Sequence, residues 1–386
     1  MKKKALALVF MMVIFSPGCQ GEQRSRDTGS APAGSSRLSE LLSPDDVQGY
    51  ARALDPRPFS FPADHGKHPR YRNEWWYVTG NLDGADGERF GFELTIFRFS
   101  LAPAEGQDGA PRSSAWATNQ VYIGHFAVTD VEAEDFYVAE RYARGALGLA
   151  GARAEPLRVW LENWYLQTAT GADWRLYAKD RDVELSLTLR PLKPPVPNGR
   201  EGLSQKSVEP GNASYYYSMP RLKAEGMLTI AGDMHEVSGL AWLDREWGSS
   251  ALSSNQEGWD WFALQLSDGS DLMFYQLRRT DGRPDPHSAG TWILADGSSM
   301  HLSHDEVLLQ VRDYWDSPRG GRYPMAWSLE IPRLALELQV DPVLKAQELE
   351  TEVRYWEGAV DVAGRRAGKA VEGRGYVELT GYARRE

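Results

Sequence analysis

The sequence has little cysteine: one residue, Cys19, stands among 386. A chain with a single cysteine forms no internal disulfide, which suits an exported protein stabilised by packing alone. Several catalytic motifs are also missing. There is no G-x-S-x-G, H-E-x-x-H or G-x-G-x-x-G, and residues 364–369 (GRRAGK) are one residue too short for a phosphate loop. The motifs of serine hydrolases, zinc proteases and nucleotide-binding proteins are therefore excluded.

Histidine and basic charge are scarce too. The seven histidines include only two close pairs, His65/His68 and His301/His304, both in loop-like contexts. We therefore expect no bound metal and no cofactor. The net charge is -11 and no basic patch stands out, so a nucleic-acid partner is not expected. Tryptophan, in contrast, is abundant, and its 14 copies suit aromatic-lined cavities or wide β-sheet cores.

The N-terminus is typical of an export signal. Lys2, Lys3 and Lys4 precede an apolar run, residues 5–15, which is too short to span a bilayer. Ser16-Pro17-Gly18 then leads to Cys19, and a small residue before cysteine predicts lipoprotein processing, with cleavage before Cys19 and lipidation of its thiol. The alternative is an ordinary secretory signal with an incidental cysteine. Gln20 in place of Asp favours the outer membrane, facing the periplasm.

The rest of the chain divides by length and pattern. Residues 20–55 predict a polar tether followed by one short helix, 41–54, whose Ser43-Pro44-Asp45-Asp46 resembles a helix start. The length of the chain predicts two further domains, which we place at 56–254 and 255–386. Their join falls in residues 250–257, and the proline-rich stretch 191–220 predicts a lid or a crossing segment.

Both domains are predicted to be all-β. Period-two alternation, broken at Gly, Asp and Asn turns, predicts many short antiparallel strands and a barrel or sandwich. Five hairpins can be named, at 75–82/90–100, 174–179/183–190, 227–230/234–243, 259–267/270–278 and 291–295/300–302. Asp268-Gly269 is the clearest turn, since Asp-Gly supplies the positive φ angles of a tight hairpin.

Seven motifs together resemble one family. They are EWWY (74–77), GHFA (124–127), SYYYS (214–218), DREWG (244–248), GWDWF (258–262), YWEGA (355–359) and GYVELTGY (375–382). The set is similar to the AttH-like, carotenoid 1,2-hydratase (CrtC) superfamily, whose members are often called predicted secreted hydrolases. The likeness covers the chain from about Tyr71 to the C-terminus. It implies two lipocalin-like antiparallel β-barrels packed side by side around a hydrophobic-ligand cavity.

The same resemblance implies two kinds of chemistry among relatives. Some hydrate a terminal isoprenoid double bond of carotenoids, and fungal relatives shape a Diels-Alder cyclisation. The hydratases carry an Asp-His-Asn type sequence where this chain has Asp244, Arg245 and Glu246. Only Asp244 carries over, so the hydratase reaction does not transfer directly.

Asp244 is the candidate acid, because an Asp in an apolar cavity can hold a proton at neutral pH. Strand alternation places Asp244 and Glu246 on one face with Trp242, and Arg245 on the other. Two carboxylates beside a tryptophan would suit protonation of an alkene. The alternative is structural: Asp244 or Glu246 pairs with Arg245 or another Arg and seals the rim of the first barrel.

His125, in an apolar strand, is the candidate base or water-orienting group, and its alternative is a satisfied interior histidine. Glu93, Arg98 and Asp260 are expected in the core or at the rim, with Arg98 in a buried ion pair. Aromatic faces stabilise a carbocation. The expected ligand-binding residues are Glu74, Trp75, Trp76, Tyr77, Tyr216, Trp242, Trp247, Trp259 and Trp261.

Three functional hypotheses remain. The first is a lipid-anchored carrier of a hydrophobic isoprenoid or lipid, serving an ABC-type transporter. The second is a hydratase, isomerase or cyclase with Asp244 as acid and His125 and Glu246 as helpers. The third is a scaffold whose barrels are packed solid. The protonation and partners of Asp244 discriminate between them.

Overall fold

The computed structural model describes residues 47–103, 114, 117–250 and 252–383. Three single-turn 3-10 helices occur there, Ala63–His65, His304–Glu306 and Pro332–Leu334. Thirteen strands form the first sheet: β1 Asn73–Gly84, β2 Arg89–Ser100, β3 Gln120–Asp130, β4 Asp135–Arg144, β5 Ala150–Ala154, β6 Leu157–Leu161, β7 Trp164–Thr168, β8 Trp174–Asp180, β9 Val183–Pro191, β10 Val196–Pro197, β11 Leu203–Gln205, β12 Ala213–Ile230 and β13 Asp233–Gly248.

Ten strands form the second sheet: β14 Gln256–Leu266, β15 Asp271–Arg279, β16 Ala289–Ile293, β17 Ser299–Ser303, β18 Leu308–Asp316, β19 Arg322–Ile331, β20 Leu336–Pro342, β21 Glu348–Leu349, β22 Tyr355–Arg366 and β23 Lys369–Leu379. Neighbouring strands in both sheets pair antiparallel. Both sheets curl, one into a nearly closed barrel and the other into a half-barrel. The predicted all-β fold of two lipocalin-like barrels is confirmed.

In the first sheet, the first and the last long strands of the chain segment lie side by side. β1 lies between β2 and β13, so the last long strand of this sheet returns beside the first. β13 in turn pairs with β12. The centre of the sheet therefore consists of β2, β1, β13 and β12, and these four strands present one face to the second sheet.

Alternating side chains build the three largest hydrophobic clusters of the described residues. Trp76, Val78 and Phe92 belong to the interior of the first sheet, and Trp292 and Trp327 to the interior of the second. A third cluster lies between the sheets and includes side chains from both. Because β-strand side chains alternate, one face of β1 fills its own barrel while the other meets the second sheet.

The five hairpins predicted from the sequence are present, with β1–β2, β8–β9, β12–β13, β14–β15 and β16–β17 paired. The turn after β12 differs slightly from the prediction: Ala231 and Gly232 take the positive φ angles, in place of Gly232-Asp233. The stretch 191–220 is a crossing segment. It lies along β12 through β10 and β11, and Lys193 reaches Asp271 of the second sheet.

The predicted helix at 41–54 needs correction, because residues 47–54 contain a turn and no helix. Pro56 and Pro58 follow closely, and the backbone of this segment bonds instead to residues farther along the chain, as when Ala51 N–H donates to the Arg70 carbonyl. Residues 41–46, the tether and Cys19 lie outside the described residues. Within the described ranges, no helix has both the length and the apolar character to cross a membrane.

Candidate functional site

A cavity of about 620 Å³ opens between the two sheets. Its walls come from β1, β2, β3, β12 and β13 on one side and from β14, β15, β22 and β23 on the other. Ten aromatic residues line it: Trp75, Tyr77, Phe97, Phe99, Tyr142, Tyr216, Trp259, Trp261, Tyr275 and Tyr355. This position corrects the expectation that DREWG lies at the mouth of the first barrel, because each barrel interior has its own side-chain core and the cavity belongs to both sheets.

Register explains why Asp244 faces this cavity. On β13 it pairs with Tyr77 of β1 on one side and with Ser218 of β12 on the other. Directly paired residues in an antiparallel sheet point to the same face. Tyr77, Asp244 and Ser218 therefore form a row across the sheet, and Asp244 and Tyr77 both line the cavity.

Asp244 is bound only by neutral donors. Its Oδ1 accepts hydrogen bonds from Ser218 Oγ at 2.5 Å and from Trp242 Nε1 at 2.6 Å. Its Oδ2 accepts one from the Tyr216 hydroxyl, which in turn accepts one from Trp261 Nε1 at 3.0 Å. Among the described residues no Lys or Arg forms an ion pair with Asp244. The expected rim salt bridge of Asp244 is thus replaced by a hydrogen-bonded cradle.

Burial controls the charge of this carboxyl group. Asp244 is 3% exposed, and desolvation raises its pKa to about 7, although the bonds from Ser218, Tyr216 and Trp242 act in the other direction. The side chain is therefore close to half protonated at neutral pH. Oδ2 carries one hydrogen bond where Oδ1 carries two, so Oδ2 is the oxygen that can hold a proton directed at a ligand.

Glu246, the second predicted acid, has a different partner. It also lines the cavity, but its Oε1 lies 3.2 Å from Lys206 Nζ and accepts a hydrogen bond from Ser214. Burial would lower the pKa of Lys206, yet the charge and hydrogen bond of Glu246, together with nearby Tyr275 and Asp244, outweigh it and raise that pKa. Lys206 also lies 4.2 Å from the ring centroid of Tyr275. Glu246 is therefore an ion-paired carboxylate, poorly suited to donate a proton.

Arg245 points to the opposite face, as the alternation predicts. It pairs with the carboxylate of Glu74, which also pairs with Arg98, and all three side chains are 0% exposed. Burial would raise the pKa of Glu74, but Arg98 and Arg245 outweigh it and hold that pKa well below its usual range. His68 adds a further contact to Glu74, at 3.2 Å. We call Glu74, Arg98 and Arg245 the buried clasp.

Three residues that were predicted to bind the ligand lie in or beside the buried clasp instead. Glu74 is enclosed by two arginines, Trp76 lies in the barrel core under Arg245, and Trp247 stacks on His68 at 3.8 Å. None of the three lines the cavity. Their positions on the strands give the reason, because residues 74 and 76 alternate with 75 and 77, and 247 alternates with 244 and 246.

The other predicted residues come together. Trp75, Tyr77, Tyr216, Trp259 and Trp261 line the cavity. Trp242 lies just behind Asp244, where its indole N–H is used in the hydrogen bond to that carboxylate. The remaining core predictions agree with their positions: Arg98 is in the clasp, and Asp260 pairs with Arg278 at 3.1 Å.

His125 also lines the cavity, within a chain of three side chains that joins the sheets. Its Nδ1 accepts from the hydroxyl of Tyr355 at 2.6 Å, and its Nε2 lies 3.1 Å from Glu140 Oε1. Burial, together with nearby carboxylates, raises the pKa of Tyr355 well above its usual range, so its hydroxyl is the donor to His125. The histidine is held in one orientation, between cavity and rim.

Glu357 and Glu378 were not predicted as site residues, yet both line the cavity. They are cross-strand partners on β22 and β23, and Glu357 accepts a hydrogen bond from Tyr77 at 2.8 Å. Burial raises the pKa of Glu378 to about 8, and burial beside Glu378 raises that of Glu357 well above its range. The available signal was alternation, since Glu357 has the parity of Tyr355, and Glu378 that of Tyr376.

The arrangement offers acids and no metal site. Within the described ranges, no group of three His, Cys, Asp or Glu side chains could hold a metal ion. His65 bonds to the Tyr217 hydroxyl at 2.6 Å, and His68 binds Asp64 and Glu74. Chemically, the site combines an apolar aromatic wall with buried carboxyl groups whose pKa values are raised, to about 7 for Asp244 and about 8 for Glu378.

Comparisons with known proteins agree with this architecture. Residues 52–382 match the AttH-like family. A crystal structure of an AttH-type protein from Nitrosomonas europaea is 34% identical, with a TM-score of 0.77, over 86% of this chain and 100% of that one. Kievitone hydratase from Nectria haematococca is 17% identical, with a TM-score of 0.62, over 87% and 98%. The second likeness shows the fold alone. A search of curated proteins gives no match.

Proposed function

This chain belongs to the AttH-like family, and from that premise we propose that it binds a hydrophobic small molecule between its two sheets and adds or removes water there by acid catalysis. Asp244 is the acid. The ligand class is an isoprenoid or similarly apolar compound with a carbon–carbon double bond, or the alcohol formed from it. One observation carries the proposal: Asp244 faces an aromatic cavity and, among the described residues, accepts hydrogen bonds from neutral donors alone.

The proposed reaction balances without a cofactor. The Asp244 proton adds to one alkene carbon, and a carbocation forms on the other. The faces of Tyr77 and Trp261 stabilise that cation, as aromatic rings stabilise positive charge. A water oxygen then bonds to the cationic carbon and loses a proton, which restores protonated Asp244. The reverse sequence removes water from a tertiary alcohol.

A second group of cavity-lining side chains, His125 and Glu140 from the first sheet and Tyr355 from the second, positions the attacking water. Tyr355 donates to His125, and the other ring nitrogen of His125 faces Glu140. Positioned donors and acceptors of this kind assist proton transfer when they lie within hydrogen-bond reach of the reacting group. His125 and Tyr355 therefore orient the water, and Glu246, paired with Lys206, fixes the electrostatics beside Asp244.

A carrier is the second candidate, favoured by the apolar lining of the cavity. In this role the protein holds the same hydrophobic ligand and delivers it to an ABC-type transporter without chemistry. Asp244 would then act only as a hydrogen-bonding group. Turnover separates the two functions, since a carrier returns its ligand unchanged.

The first experiment identifies the ligand and tests Asp244. The protein is purified from its native envelope without detergent, and apolar molecules are extracted and identified by mass spectrometry. The enriched compound is then incubated with the protein in heavy-oxygen water. We expect the label in the product with the wild type and none with Asp244→Asn. Asp361→Asn, at a half-exposed ion pair, is the matched control and should retain activity.

Two results would contradict the enzyme proposal. Ligand that is bound but never labelled indicates a carrier. Label incorporated equally by Asp244→Asn indicates that another group is the acid.

We also propose that the protein is exported and anchored by lipid at Cys19, in the outer membrane facing the periplasm. The proposal is supported by the sequence: the lysines 2–4, the apolar run 5–15, and the small residues before Cys19. Metabolic labelling with an alkyne fatty acid should mark the wild type and not Cys19→Ser, and fractionation should recover the label in outer membranes. An unlabelled wild type would contradict lipidation at Cys19, and only the proposal that the protein is secreted would remain.

A further inference from the structure

Next to the cavity, one face of β1 and β2 carries buried polar side chains. On β1 this face carries Tyr77 and then Thr79, and on β2 it carries Thr95 and then Glu93. The two strands pair Tyr77 with Thr95 and Thr79 with Glu93. These side chains therefore form two adjacent rows, the first at the cavity wall and the second one step deeper between the sheets.

Beyond the second row the sheets close on each other. The Asn81 side-chain amide donates to the Gly375 carbonyl at 2.9 Å. At Gly91 the sheets touch, because a Cβ there would come within 2.7 Å of Ala359 Cβ. The buried polar side chains thus lie between the cavity and this contact, and we call the region of Thr79, Glu93, Thr95, Glu357 and Tyr376 the compartment.

Ion pairs lie past that closure, between Arg89 and Asp361 and between Arg374 and Asp83. They connect β1 and β2 to β22 and β23. These pairs hold the far edges of the two sheets together.

The compartment contains polar atoms that no described residue satisfies. They are the hydroxyls of Thr79, Thr95 and Tyr376, both carboxyl oxygens of Glu93, and Oε1 of Glu357. None of these residues is more than 1% exposed. The nearest hydroxyl neighbours, Thr95 for Glu93 and Thr129 for Tyr376, do not meet them with ordinary hydrogen-bond geometry.

These atoms lie close to one another. Tyr376 packs in the same inter-sheet cluster as Tyr77, and the charges of Glu357 and Glu93 raise its pKa further, after burial. Glu357 reaches both spaces, because one oxygen bonds to Tyr77 at the cavity and the other lacks a protein partner. Leaving so many buried polar groups unpaired would be destabilising, because each of them gives up its hydrogen bonds to water on folding.

The chemistry of the lining indicates a neutral occupant. Burial raises the pKa of Glu93 to about 8 and that of Glu357 well above its usual range, so burial favours the neutral, protonated form of both carboxyl groups. Protonated carboxyls and hydroxyls each donate and accept. Six such atoms, at about three hydrogen bonds per buried water, suit about two water molecules.

We propose that the compartment of Thr79, Glu93, Thr95, Glu357 and Tyr376 is a binding site for ordered water, which supplies the water consumed in the hydration. The inference rests on the proposed function for that use, and on geometry alone for the site. The Tyr77–Glu357 hydrogen bond stands where the two spaces meet, so a water molecule that enters the reaction passes this pair.

The site can be tested without substrate. Long-lived internal waters are counted by magnetic relaxation dispersion, and their positions are determined in a high-resolution crystal structure. We expect about two waters bonded to Glu93 and its neighbours. The double variant Thr79→Val/Thr95→Val should lose at least one of them. Thr188→Val, which removes a hydroxyl from the partly exposed outer face of β9, should lose none.

Tyr376→Phe gives a second, milder variant if the double variant does not fold, and it should also lose one water. A wild type without internal water at these residues would overturn the proposal. Density for part of an organic ligand bonded to Glu93 would overturn it equally, since the compartment would then bind the substrate itself. Because the count needs no turnover, it can fail or succeed independently of the proposed reaction.

Discussion

Two faces of one strand segment, residues 244–247 of β13, show how differently a protein can bury charge. On the cavity face, Asp244 meets only neutral donors, and burial raises its pKa to about 7. On the barrel face, Arg245 meets Glu74, whose pKa is held well below its usual range by two arginines despite its complete burial. Burial is equal on both faces, so the partner decides whether the carboxyl group is charged.

The difference separates stability from reactivity. A carboxylate fixed between two arginines cannot donate a proton near neutral pH, but it is costly to disturb. A carboxyl group cradled by Ser218, Tyr216 and Trp242 can exchange a proton, and a neutral amide can replace it. We therefore expect substitutions on the barrel face to affect folding and those on the cavity face to affect chemistry.

Breaking the clasp should have the largest effect. Glu74→Ala leaves Arg98 and Arg245 buried without their carboxylate, and removing one partner of a buried ion pair costs about 3 to 5 kcal/mol. We expect the free energy of unfolding, measured by urea denaturation at pH 7, to fall by that amount. A loss below about 1 kcal/mol would show that the clasp is not structural.

The pH dependence of stability should sharpen the comparison. The folded pKa of Glu93 is about 8, above its unfolded value of 4.5, so the folded state holds the extra proton between these pH values. Its contribution is complete below pH 4.5 and is lost as the pH rises towards 8, with a limiting slope of about 1.4 kcal/mol per pH unit.

Glu74 acts in the opposite direction, since its lowered pKa gives stability that is lost as the pH falls below 4.5. Urea denaturation of Glu93→Gln between pH 5 and 8 should therefore show a flatter decline than the wild type. An unchanged slope would mean that Glu93 is ionised when folded.

Asp244→Asn should change stability little. The amide keeps the size of the side chain and still offers an oxygen to Ser218 and Trp242, so we expect a change within about 1 kcal/mol at pH 7, by thermal or urea unfolding. Turnover should nevertheless be lost. A destabilisation like that of Glu74→Ala would show that Asp244 is also a structural ion-pair partner.

The smallest effect is expected at an exposed pair. Lys179 and Glu184 are 2.7 Å apart, and their side chains are 46% and 34% exposed. Glu184→Ala should change the unfolding free energy by less than about 1 kcal/mol. A larger change would indicate that the large loss of unfolding free energy expected for Glu74→Ala does not depend on burial of the ion pair.

Alternation carried most of what the sequence could predict. It identified the β-fold, the hairpins, and the separation of Asp244 and Glu246 from Arg245, because period-two patterning is local. The family resemblance supplied the pairing of two barrels. The same alternation places Glu74, Trp76 and Trp247 on the face opposite the cavity. They were nevertheless predicted to bind the ligand, because the EWWY and DREWG motifs were each interpreted as one unit.

The remaining features depend on contacts distant in the chain. Tyr355 meets His125, and Glu357 meets Tyr77, across 230 and 280 residues. No local pattern specifies such a pair, since it requires the second sheet to dock on the first. The Arg245 partner of Glu74 is also distant, 171 residues along the chain, and the cavity itself exists only because the two curled sheets meet.

The central claim is that Asp244 is a cavity-facing acid that titrates near neutral pH. The most direct test is a carbon-13 NMR titration of aspartate side-chain carboxyls, with Asp244→Asn used to assign the resonance. The account predicts a pKa of about 7 for Asp244. A value near 4, the ordinary range of aspartate, would contradict it and remove the acid from the proposed reaction.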